Sequence, residues 1–108
     1  MEKQDVVHTA MKDWKSALQL EQEHRLEDLK VLREKLEVSN AKIHCFTVLL
    51  NELNDGEYKK LQELNSMCMK ENKNNEEIIE EIQKIEEKIW IHENLNQKLI
   101  PIIESNLR

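Results

Sequence analysis

Apolar residues recur along this chain at helical spacing, and the recurrence breaks in three places. From Gln22 a strict alternation of three- and four-residue steps selects Gln22, Arg25, Leu29, Leu32, Leu36, Ser39, Ile43, Phe46, Leu50 and Leu53, with Leu29 at heptad position a and Leu32 at d. Upstream, Val7, Met11, Trp14 and Leu18 form a stripe of their own, joined to Gln22 by a four-residue step where three is due. Such a stutter locally relaxes supercoiling. A second stripe, Leu61, Leu64, Cys68, Glu71, Asn75, Ile78, Ile82, Ile85 and Ile89, begins with Leu61 at a, falters around His92 and resumes in shifted phase at Leu95, Leu99 and Ile102. Pro101 lacks an amide hydrogen and disfavours helical geometry at Ile100, so the second helix is expected to end or kink near Leu99.

Between the stripes lies Asn54-Asp55-Gly56-Glu57, the one segment with turn chemistry. Glycine stops a helix cheaply by adopting positive φ, and Asn and Asp prefer caps to helix interiors. The expected fold is all-α: a long antiparallel two-helix coiled-coil hairpin turning at Asn54–Gly56 and associating into a larger helical bundle. Residues 1–108 form one coiled-coil module, with helix one over about 4–53, the turn at 54–57, helix two over about 58–99 and a short tail at 100–108. The alternative is one continuous long helix in a parallel coiled-coil dimer. It needs only another stutter across Gly56, and glycine inside a helix costs about 1 kcal/mol relative to alanine.

The hairpin gains support from its polar positions. Folding at the glycine sets Leu53 against Leu61, Leu36 against Ile78 and Leu29 against Ile85. It also sets Ser39 against Asn75 and Gln22 against His92, so inward polar groups meet polar partners and fix the register. Ile43 facing Glu71 and Arg25 facing Ile89 are the exceptions, where each charged head is expected to snorkel outward on its methylene stem.

One stripe per helix suffices for a lone hairpin, yet helix one carries a second. Val31, Val38, Ala41, Cys45 and Val48 fall at c and f, facing away from the first stripe, with Leu49 adjoining. Exposed contiguous apolar surface marks an interface, so this seam, together with Trp90 and Ile91 off the second stripe, is the candidate surface for self-association or a partner. Trp14, within its stripe, is expected to cap the core opposite Leu99 and Ile100.

Composition narrows the function. One glycine, one proline and 4% aromatic residues exclude sheet-rich and phosphate-loop architectures. Net charge is −6, shared by both halves, with no basic stripe to neutralise phosphates, so nucleic acid is not an expected partner. Ile43 to Asn51, the longest uncharged run, is far short of a membrane span, and Met-Glu-Lys-Gln-Asp is too polar for a signal peptide. Two cysteines and no Asn-x-Ser/Thr sequon point to an intracellular chain, cytoplasmic or nuclear, with reduced thiols. Cys45 and Cys68 lie at one level of the hairpin near His44 but on opposed faces, without zinc spacing. His8, His24, His44 and His92 share no ligand-spaced face. No catalytic, cofactor or metal site is expected, and no small-molecule substrate. The acidic, segmented coiled-coil style is similar to that of subunits of kinetochore, meiotic-chromosome, centrosomal and vesicle-tethering assemblies. The expected function is that of a non-enzymatic scaffold subunit mediating protein–protein assembly with itself or other coiled-coil proteins. The alternative is a regulatory module that captures a helical partner transiently.

Overall fold

The computed structural model describes residues 2–53 and 56–107. Two helices, α1 (Glu2–Glu52) and α2 (Tyr58–Leu107), make a helical hairpin, and no strand occurs among the described residues. Leu53 N–H donates to the Leu49 carbonyl at 3.2 Å at the end of α1, and Leu61 N–H donates to the Glu57 carbonyl at 3.0 Å at the start of α2. Leu53, Gly56 and Glu57 are not helical, which sets aside one continuous helix. Asn54 and Asp55, two residues of the expected turn, lie outside the described residues. Gly56 is in the turn, but without a positive φ, and a Cβ placed on it meets nothing within 4 Å. Its role therefore differs from the expected one: it interrupts helix propensity without using glycine's left-handed freedom.

The packing divides into two compact units where the periodicity suggests one module: a turn unit, Lys30–Gln83, and a terminal unit, Met1–Leu29 with Lys84–Arg108. In the turn unit the helices run antiparallel. Asn75 meets Ser39 and Glu71 meets Lys42, so the numbering of one helix falls as the other rises. Leu64, Ile78 and Ile82 are buried there, with Leu32, Leu36, Ile43, Phe46, Leu50 and Leu61 half-buried on the expected stripe.

The terminal unit is also antiparallel, with Lys15 paired to Glu104 and Gln22 to Ile89. Here the packing departs from the sequence reading in three respects. No stutter separates the start of α1: Met11, Lys15, Leu18, Gln22, Arg25 and Leu29 continue the same three-four alternation inward, while Trp14 is 43% exposed and does not cap the core. Nor does α2 change phase. His92, Asn96 and Leu99 stay half-buried on the a/d line and Ile103 is the most buried side chain described, at 1% exposure, whereas Leu95 and Ile102 are 54% and 58% exposed.

The third departure is that α2 does not end at Leu99 but runs through Pro101 to Leu107. Pro101 is exposed on the outward side, so the Gln97 carbonyl it leaves without a donor is on the solvent side of the helix. Beyond it, Ser105 Oγ donates to the Pro101 carbonyl at 3.0 Å and Asn106 Nδ2 to the Ile102 carbonyl at 3.0 Å. Burial of Ile103 outweighs the lost hydrogen bond, and the tail expected at 100–108 is helix.

Candidate assembly interface

Polar side chains meet across the helix pair in both units. Asn75 Nδ2 donates to Ser39 Oγ at 3.0 Å and lies 2.9 Å from Asn40 Oδ1, and Ser39 is almost wholly buried. This is the cross-helix pair the spacing anticipates. A hydroxyl removed from water at that position requires such a partner.

The Gln22 layer is built differently. Gln22 Nε2 donates to the Ile89 carbonyl at 2.8 Å, and Arg25 Nη1 donates to Gln22 Oε1 at 3.0 Å, with Arg25 Nη2 3.8 Å from Glu21. The structure thus ties Gln22 to the backbone of α2, with His92 half-buried three residues further on. Glu71 also departs from expectation: it does not snorkel but is 9% exposed. Its Oε2 accepts from Asn74 Nδ2 at 3.0 Å. Its Oε1 has no hydrogen-bond partner, and Lys42 Nζ stands off at 3.6 Å.

The second apolar line of α1 in the turn unit is exposed to solvent, its Val31 and Val38 bordering an open groove between the helices. Val31, Val38, Val48 and Leu49 are exposed, Val38 to 56%, and so are Ala41 and Cys45 between them. The outer surface of α2 in the same unit carries Lys70, Lys73, Glu76, Glu77 and Glu80, all exposed, with Met67, Met69 and Ile79 exposed singly among charged and polar neighbours. In the terminal unit Trp90 is 67% exposed and Ile91 lies beside it, both away from the helix contact. Sequence reasoning missed Trp14, Leu95 and Ile102 as surface residues. The signal that finds them is the uninterrupted alternation carried back through Lys15 and forward through Asn96. Polar residues at those two positions draw the eye to the apolar neighbours one place away.

Chemistry-bearing residues stay dispersed. Cys45 is exposed, Cys68 half-buried on the inward line, and both are free thiols. Among the described residues no three His, Cys, Asp or Glu side chains gather as a metal site, and no helix is long and apolar enough to cross a membrane. Among the described residues, open grooves run between the helices. One in the turn unit is lined by Val31, Lys35, Val38, Lys42, Asn74 and Glu81 among others, and one in the terminal unit by Gln19, Leu26, Glu93, Ile100 and Pro101 among others. No family model, curated protein or solved structure matches the chain.

Proposed function

We propose that the chain is a non-enzymatic scaffold subunit of an intracellular assembly, cytoplasmic or nuclear, whose work is to pack its helices against those of other chains. Its partners are coiled-coil proteins or further copies of itself rather than nucleic acid, cofactor or small-molecule substrate. The observation that carries this reading is the exposed line Val31, Val38, Ala41, Cys45, Val48 and Leu49 on α1. A solvated helix face is normally charged. Each half-exposed valine here forgoes about 1 kcal/mol of the burial available to it, and the small Ala41 and Cys45 allow close approach of another helix.

Val38→Lys tests the reading, because a lysine at the middle of an apolar contact leaves a charge without water. Helix content by circular dichroism is expected to hold while the partner is lost or an assembly falls in mass by light scattering. Unchanged mass and unchanged partner binding refute the seam as the interface.

A second reading, transient capture of a helical partner by a regulatory module, draws on Trp90 and Ile91, since an exposed tryptophan is a typical interface anchor. Permanence separates the two. A scaffold subunit is expected to melt at markedly lower temperature without its partner, a transient module to be equally stable alone.

A further inference from the structure

The terminal unit has a surplus of apolar surface that its two helices leave uncovered on one side. In an antiparallel pair the residues just before a, position g, come from both helices to one flank, and those just after d, position e, come to the other. The grooves show this geometry: e residues Gln19, Leu26, Glu93 and Ile100 line one together in the terminal unit, and g residues Lys35, Lys42, Asn74 and Glu81 line one together in the turn unit. The g flank of the terminal unit therefore carries Val7, Trp14, Glu21 and Asp28 from α1 and Lys88, Leu95 and Ile102 from α2. Val7, Trp14, Leu95 and Ile102 are all substantially exposed. A strict a/d stripe belongs to a two-stranded contact, while apolar residues at a, d and g belong to helices with neighbours on two sides.

We propose that this flank packs on the same flank of a second copy, the two hairpins running parallel about a twofold axis along the helices, to make a four-helix bundle over this stretch. Levels along the unit decide the occupant. Antiparallel register sets Trp14 at the level of Ile102, Glu21 near Leu95 and Asp28 near Lys88. A twofold axis along the helices brings α1 of one copy against α2 of the other at unchanged height. Trp14 then meets Ile102 of the second copy, apolar on apolar, and Asp28 meets Lys88 of the second copy, charge on opposite charge, while Glu21 comes to the level of Leu95 of the second copy. Glu21 lies beside Arg25 of its own helix at 3.8 Å. Reversing the second copy about the Glu21–Leu95 level sets Asp28 and Lys88 against Trp14 and Ile102, so charge meets apolar surface at two levels rather than one.

This surface belongs to the terminal unit, whereas the exposed line from Val31 to Leu49 belongs to the turn unit.

Sedimentation of the full chain from about 1 to about 200 µM is expected to show a monomer–dimer equilibrium that Trp14→Lys and Ile102→Lys each weaken by about tenfold or more. Asp28→Lys weakens it as well, and adding Lys88→Asp restores it, while Val38→Lys leaves it unchanged. A measurement that needs no disruptive change uses Trp90→Phe, which leaves Trp14 as the sole tryptophan. Its emission is expected to move to shorter wavelength as the dimer forms. A monomer throughout the range, a dimer indifferent to Trp14→Lys and Ile102→Lys, a Trp14 emission that ignores concentration, or a dimer abolished by Val38→Lys overturns the proposal.

Discussion

Ile102 and Ile103 are chemically identical neighbours that the helix phase sends to opposite environments, so truncating each in turn measures the phase directly. Ile103 is 1% exposed and Ile102 is 58% exposed. Isoleucine to alanine removes three carbons, worth about 2.4 kcal/mol at about 0.8 kcal/mol per buried methylene. At Ile103 the cavity left behind raises the loss to about 3 kcal/mol, within the usual 2–5 for such core truncations. At Ile102 more than half the side chain already faces water, which leaves about 1 kcal/mol. The small gain in helix propensity on going to alanine is the same at both sites and cancels. The difference of about 2 kcal/mol is about thirtyfold in the equilibrium for opening this stretch of helix. Amide hydrogen exchange read on peptides from the last turns of α2 reports that opening locally, without requiring the whole chain to unfold in one step. The measurement is made at several protein concentrations, because a contact between copies is linked to concentration and an intramolecular one is not. Ile103→Ala is expected to speed exchange equally at every concentration, and Ile102→Ala to speed it about thirtyfold less at the lowest concentration, with a further loss only as the dimer forms. Equal losses at the lowest concentration refute the reasoning and return the helix end to the shifted phase of Leu95, Leu99 and Ile102.

Gly56→Ala is expected to raise stability by about 0.4–1 kcal/mol in urea melts, since Gly56 has no positive φ and space for a Cβ, and alanine narrows the unfolded ensemble. A fall of similar size shows that the turn needs glycine's freedom. Glu71→Leu is expected to raise the melting temperature, by an amount equivalent to about 1–3 kcal/mol, because it replaces a buried carboxylate whose Oε1 lacks a hydrogen bond with an apolar group. Loss of stability in that variant shows instead that the contact with Lys42 at 3.6 Å outweighs the desolvation of the pair.

The sequence is most legible where heptads are regular. From Leu29 to Leu53 and from Leu61 to Ile89 each inward position follows from three-four spacing alone, and the Ser39–Asn75 contact follows from asking where inward polar residues find partners. Legibility fails where a polar residue holds an inward position beside a larger apolar one. Lys15 is on the a/d line through its methylene stem and its ion pair with Glu104 at 2.8 Å. A purely hydrophobic reading passes over it to Trp14 and inserts a stutter to justify the choice. Asn96 does the same to Leu95, and Pro101 adds a stop signal that Ile103 overrides. The apolar line on α1 is readable because nothing competes with Val31, Val38, Ala41, Cys45 and Val48 on that face. The flank bearing Trp14 and Ile102 is hidden, because those residues look like core until the phase is known.

The two surplus surfaces differ in what they select. Along the outward line of the turn unit the contacts offered are aliphatic and small, from Val31 to Leu49, with Ala41 and Cys45 permitting close approach. Such a seam rewards any apolar helix stripe of matching spacing and does little to reject a wrong one, since burial has no direction. The flank of the terminal unit adds the Asp28–Lys88 level to its apolar residues, and like charges brought together across a desolvated contact are costly, so register and direction are selected there. The intramolecular core is thin for either task. Among the described residues the buried apolar side chains are Leu29, Leu64, Ile78, Ile82 and Ile103, and they share the interior with Ser39 and Glu71. A helix pair with so few fully buried side chains gains more from a third and fourth helix than from further refinement of its own contact. The apolar residues that would deepen a two-helix core have been placed outside it.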